Sequence, residues 1–107
     1  MIARVWRGIA APETAQDYLE HLRRTVFPEL SEIAGYQGAS VLRRDSDAGV
    51  EFTVQTLWDS MDAIRQFAGD QVETAVVASA AQPLFRSYDH TVTHHEIVLT
   101  AQVMSDK

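Results

Sequence analysis

No cysteine occurs among the 107 residues of the chain. That absence excludes disulfides, thiolate zinc sites, iron–sulfur ligation by the chain and a cysteine nucleophile. No apolar run approaches the roughly 18 residues of a membrane-spanning helix, and the opening "MIARVWRG" alternates instead of forming the apolar core of a signal peptide. A membrane is not an expected partner, and the expected setting is the cytoplasm. Positive charge is scarce: 9 basic residues stand against 15 acidic ones, for a net charge of −6. The acidic residues are scattered, so the charge favours solubility and offers no phosphate-binding stripe, and nucleic acid is not an expected partner. Gly-rich phosphate loops, the GxSxG elbow and the HExxH motif are all missing, which leaves nucleotide binding, serine hydrolysis and zinc proteolysis without support.

What is present fits one ordinary globular domain over residues 1–107, with 46% hydrophobic and 22% charged residues. A chain of this length buries about two thirds of its unfolded surface, enough for a working core. Residues 2–9, "IARVWRGI", read as a first strand. Pro12 and Glu13 open a helix, and Ala15, Tyr18, Leu19, Leu22 and Val26 supply its buried stripe at three-and-four spacing. Pro28 predicts that this helix bends or ends near Thr25 to Phe27, with Leu30 and Ile33 continuing in a short second piece. A glycine-marked turn leads into a second strand over residues 39–44, and "DSDAG" at 45–49 forms a hairpin loop into the third strand, residues 50–58. Asp59 or Ser60 caps the next helix, which presents Ala63, Ile64, Phe67 and Ala68 and ends at Gly69. Residues 71–87 suggest a further helical stretch broken at Pro83, residues 89–99 a last strand, and residues 100–107 a frayed tail.

The order β-α-β-β-α-β is that of an antiparallel ferredoxin-like α+β sandwich. Two helices cover only one face of such a sheet. Ile2 and Trp6 point to one side of the first strand and Val5 and Ile9 to the other. On the third strand, Phe52, Val54 and Trp58 oppose Glu51, Thr53, Gln55 and Leu57. Both faces carry apolar residues, which predicts that the second face packs on another sheet in a homodimer.

Residues 35–70, "GYQGASVLRRDSDAGVEFTVQTLWDSMDAIRQFAGD", resemble the antibiotic biosynthesis monooxygenase family of dimeric α+β barrels. The resemblance spans residues 2–98, and its most specific parts are "GYQG", "TLWDS" and "AIRQFAG". It implies two four-stranded sheets packed as a barrel, helices outside, and a pocket between the sheet and helices of each subunit. The family includes cofactor-free oxygenases of polyketide-like phenols and quinols and also haem-degrading enzymes, so it speaks to fold before function. Aligned on the "LWDS" junction, the asparagine, tryptophan and histidine positions of the haem-degrading members fall at Trp6, Phe67 and Val76. All three differ, and the missing histidine argues against haem degradation.

Trp58 matches the strand-end tryptophan of the cofactor-free oxygenases. It reads either as a pocket wall that orients an aromatic substrate or as a core residue at the seam of sheet and helix. Adjacent histidines His94 and His95 point to opposite faces of a strand, and His90 and His94 lie about 13 Å apart, so neither pair suits one metal. One of His94 and His95 is expected to face inward and to act as a general base. His21, one turn after Asp17, reads as a surface ion pair. Trp6, Tyr36, Phe67, Arg86 and Tyr88 are the expected substrate contacts, with Arg86 suited to an acidic substrate group or to a surface ion pair.

Two functions follow. The first is a cofactor-independent monooxygenase of a small hydrophobic, aromatic molecule, with Trp58, His94 and His95 as candidate catalytic residues and no metal. The second is a noncatalytic dimeric domain that binds a small ligand or serves in a stress response, favoured by the lack of a clear acid–base pair.

Overall fold

The first strand, β1 (Ile2–Ala10), holds the centre of the sheet, its backbone N–H and C=O groups bonding to a neighbour along each edge. In this computed structural model, which describes residues 1–103, β1 pairs antiparallel with β3 (Gly49–Trp58). The register sets Arg4 opposite Thr56, Trp6 opposite Val54, Gly8 opposite Phe52 and Ala10 opposite Val50. These even-numbered residues form the face covered by helices, where Val50, Phe52, Val54, Thr56 and Trp58 are all buried. The odd-numbered face, with Ala3, Val5, Ile9, Thr53, Gln55 and Leu57, is half-buried.

Strand β2 (Tyr36–Ser46) flanks β3 through a hairpin tighter than the predicted loop, because Ser46 pairs with Gly49 and leaves only Asp47 and Ala48 in the turn. Gly49 makes this hairpin fit. Its φ is +136°, and a Cβ there would fall 2.5 Å from the carbonyl oxygen of Ala10. On the other edge of β1 the strand expected at 89–99 is shorter, and a separate strand precedes it. Strand β4 (Phe85–Tyr88) pairs with Gly8–Ala10, and β5 (Thr93–Glu96) pairs with Ile2–Val5. The intervening residues leave β1 for a different partner. Thr91 bridges to Thr74, the Val92 amide donates to the Glu73 carbonyl at 2.8 Å, and the Ala75 amide donates to the His90 carbonyl at 2.9 Å.

The same pairing explains why residues 71–81 do not form the predicted helix. Residues 73–75 are engaged by strand-like contacts to residues 90–92, and the segment runs as a non-helical strap that ends in a short 3₁₀ turn, Gln82–Leu84. Local helix propensity is a weak prior against such long-range partners. The first helical run is continuous but not uniform: α1 (Ala15–His21) passes into a π turn, Leu22–Val26, and then α2 (Phe27–Leu30). Pro28 lacks an N–H and so cannot bond back to the preceding turn, and it sits where the π turn passes into α2. The Phe27 amide reaches back five residues to the Leu22 carbonyl, the widened spacing of a π turn. Helix α3 (Met61–Ala68) begins at Ser60, whose hydroxyl accepts from the Ala63 amide at 3.2 Å, and ends at Gly69 with φ +77°.

One layer of helices on an antiparallel sheet of five strands, ordered β2-β3-β1 with β4 and β5 sharing the far edge, makes an α+β ferredoxin-like fold. The core divides in two. One cluster gathers Tyr18, Leu22, Val50 and Phe52, and the other gathers Leu30, Trp58, Ala63 and Ile64. Val26 and Phe27 pack against both. Among the described residues no helix is long and apolar enough to cross a membrane. Residues 97–103 carry no regular structure, and the rest of the expected tail lies outside the described residues.

Candidate active site

A cavity of about 80 Å³ opens at the seam of the two core clusters, between the helical run and the helix-covered face of the sheet. Tyr18, His21, Leu22, Val26 and Phe27 form its helical wall. The π turn lies within this wall, so the loosened spacing falls where the helix meets the cavity. Arg4, Trp6, Val54 and Thr56 form its sheet wall, Phe67 closes one side, and the strap contributes Val76, Val77 and Ala78.

Arg4 is the unexpected member. It is 4% exposed, and its guanidinium is held by the strap and by β5. Nη1 donates to the Val72 carbonyl at 2.6 Å and lies 3.0 Å from His94 Nε2, and Nη2 donates to the Thr74 carbonyl at 3.0 Å. Since arginine only donates, His94 accepts at Nε2 and carries its proton on Nδ1. Burial first, and then the adjacent Arg4 charge, lower the His94 pKa and hold the ring neutral; burial also lowers the Arg4 pKa. The Phe67 ring lies under the guanidinium, its centroid 5.6 Å from Cζ.

Of the residues singled out in the sequence, Trp6 and Phe67 meet at the cavity. Trp6 donates its indole N–H to the Asp89 carbonyl at 2.8 Å and meets Phe85 edge-on, 5.3 Å between centroids. Gly8 makes room for that pair, because a Cβ there would lie 2.7 Å from the Trp6 ring. Trp58 stands one layer behind the cavity, fully buried. Its N–H donates to Thr56 Oγ1 at 2.8 Å, and its ring stacks on Phe67 at 5.9 Å with a 22° tilt, so it fixes two lining residues without lining the cavity itself. Tyr36 meets Trp58 edge-on at 5.3 Å, and burial raises its phenol pKa.

The other candidates lie elsewhere. His94 contacts Arg4 without lining the cavity, and His95 pairs across from Ala3 on the open face, with Nε2 2.8 Å from Thr93 Oγ1. Arg86 donates to the Ala48 carbonyl at the β2–β3 turn. Tyr88 packs against Trp6 and His90 outside the cavity. The cavity's own histidine is His21, one residue before the buried Leu22 and beside Tyr18, its ring 6.5 Å from the tyrosine ring. Burial pushes the Tyr18 phenol well above its ordinary pKa, so Tyr18 stays protonated near neutrality. Among the described residues no group of three or more histidine, aspartate or glutamate side chains is placed to hold a metal.

Solved structures share this fold. A candidate antibiotic biosynthesis monooxygenase from Deinococcus radiodurans aligns with a TM-score of 0.64 at 19% identity, covering 98% of this chain and 100% of that one. The heme-degrader MhuD of Mycobacterium tuberculosis, solved with two hemes in its active site, aligns at 0.61 and 20% identity, covering 95% and 100%. A Streptomyces coelicolor monooxygenase in complex with nanaomycin D aligns at 0.57 and 18% identity, covering 98% and 91%. At such identities the likeness is one of fold. No curated protein matches the chain. The antibiotic biosynthesis monooxygenase family profile matches residues 1–77, from β1 through α3 into the strap that completes the cavity, and on that match the chain belongs to this family.

Proposed function

We propose that the chain is a monooxygenase acting on a small aromatic molecule held between sheet and helices, and that it does so without a resident cofactor. The observation that carries the reading is the cavity itself, walled by Trp6, Tyr18, Phe27 and Phe67, with one histidine, one cation and one threonine hydroxyl on a mainly apolar lining. An ionised phenol supplies its own electrons to dioxygen. One oxygen atom enters the ring, the other leaves as water, and the ring loses two hydrogens as phenol becomes quinone. The protein's part is to orient the ring, exclude water and accept the phenolic proton.

His21 suits the proton's removal: Arg4 has no lone pair to offer and Tyr18 stays protonated, which leaves imidazole as the acceptor on the lining. Trp58 is a positioning residue, acting through Thr56 and Phe67. Haem does not fit. A cavity of about 80 Å³ is far smaller than the macrocycle, and Val76, at the position of the haem-degrading members' histidine, lines it without a donor atom.

The test is oxygen uptake by pure protein given phenols or quinols, with no metal or flavin added. Uptake above the protein-free rate is expected, together with a product that has gained one oxygen and lost two hydrogens. A ligand recovered unmodified, with no uptake, would make the domain a binding module instead.

The proposal includes a homodimer in the cytoplasm. Its support is the open face, where half-buried Val5, Ile9 and Leu57 are interspersed with Thr53 and Gln55 and Leu42 is half exposed. Size-exclusion chromatography with light scattering is expected to give twice the 11.9 kDa chain mass at micromolar concentration; a monomer would remove this part of the reading.

A further inference from the structure

We infer that Arg4 is an anion-anchoring subsite and that the ligand of this cavity is a compact single-ring acid, held through a carboxylate or phenolate oxygen. The inference rests on the reading of the cavity as the substrate site and narrows its substrate class.

A guanidinium that is 4% exposed carries a full charge out of water, a placement that is costly unless a counter-charge meets it. Among the described residues no carboxylate lies within ion-pair distance of Arg4; the six ion pairs found all involve other arginines. Its protein partners are two carbonyls and a neutral imidazole, which orient the group without neutralising it. Nη1 spends both hydrogens on Val72 and His94, and Nη2 spends one on Thr74. Among the described residues the Nε hydrogen and the second Nη2 hydrogen have no hydrogen-bond partner, and Arg4 lines the cavity. Two parallel N–H donors on a rigid fork match the two oxygens of a carboxylate or the lone pairs of a phenolate. Apart from His21, Thr56 and the Tyr18 hydroxyl the remaining lining is apolar, so the ligand's body is a hydrocarbon ring.

Size sets the other limit. Small-molecule sites commonly enclose about 300–1,000 Å³, whereas this cavity measures about 80 Å³. So small a space favours the smallest ligand that carries both a ring and an acidic group, and fused polycyclic ligands exceed it.

The test uses the full chain near neutral pH with three probes. Benzoate and benzamide are titrated by calorimetry, and the ionisation of 4-nitrophenol is followed by its absorbance. Benzoate is expected to bind about 10-fold or more tightly than its neutral isostere benzamide, the margin of a charge-assisted hydrogen bond. For a phenolate-selective site the response is instead bound 4-nitrophenol ionising at lower pH than in free solution, so the probe that responds identifies the acid. Arg4→Met is expected to erase the anion preference while benzamide still binds. Arg4→Gln, which keeps a donor for the strap carbonyls, should do the same and stands in if the methionine variant does not fold. The inference is overturned if the unaltered protein treats benzoate and benzamide alike and leaves 4-nitrophenol ionisation unchanged, or if the preference survives both substitutions. None of these readings needs turnover. Anion preference without oxygen uptake keeps the subsite and removes the oxygenase, and uptake with neutral rings but no anion preference does the reverse.

Discussion

Trp58→Ala is expected to lower folding stability by about 3–5 kcal/mol, the range for truncating a large buried aromatic. The residue is fully buried in the cluster with Leu30, Ala63 and Ile64, and it is the largest side chain so enclosed. Its loss empties the space between β3 and α3, removes the stacking on Phe67 and the edge contact of Tyr36, and takes the indole partner from Thr56. A protein of this size has only about 5–15 kcal/mol in total, so the variant should melt lower by roughly 15 °C or more. Trp58→Phe keeps most of the volume and should lose far less. Its main deficit is the Thr56 hydroxyl without its donor, worth about 1 kcal/mol. Thermal unfolding followed by circular dichroism separates the two. An alanine variant that melts within a few degrees of the parent would mean that the core closes over the gap.

His21→Gln is expected to reduce turnover by about 10² to 10⁴, the usual contribution of a positioned general base, while KM changes little. Glutamine preserves polarity and approximate size on the cavity wall but cannot hold a proton. His90→Gln is the matching control, since His90 is exposed and packs against Tyr88 outside the cavity. Both variants would be assayed by oxygen uptake under saturating substrate. A His21→Gln enzyme with the parent's kcat would move the proton acceptor elsewhere, to solvent or to the substrate itself.

The elements that could be read in advance are those whose signal is local. Alternation marks β1 and β3, the three-and-four stripe from Ala15 to Val26 marks the first helix, and "LWDS" marks the passage into α3. The errors fall where a distant partner decides. "QVETAVVASA" has helix-forming composition, yet residues 73–75 take their hydrogen bonds from residues 90–92 and from Arg4. The strand expected at 89–99 is shorter for the same reason, because Thr91 turns from β1 toward Thr74.

Arg4 was within reach of the sequence. It lies between Ile2 and Trp6 on the same face of a strand, so alternation alone places a cation on the covered side. Its lack of a carboxylate partner was not legible, since that depends on what the strap and β5 bring. His21 sits beside the buried stripe, and only the cavity's position distinguishes it from a surface histidine. His94 and His95 do divide between the two faces as their adjacency requires, with His94 turned to Arg4.

The central place of β1 also sets the order in which the protein can be completed during synthesis. β1 leaves the ribosome before the other strands and acquires β3 after a gap of about 40 residues, but its other edge stays without a partner until β4 and β5 emerge at residues 85–96. Arg4 waits over the same interval, because Val72, Thr74 and His94 lie 68 to 90 residues downstream. Closure of the far edge and capture of the guanidinium are thus a single late, long-range event, of the kind that slows folding and leaves an edge open to chaperones or to a second nascent chain.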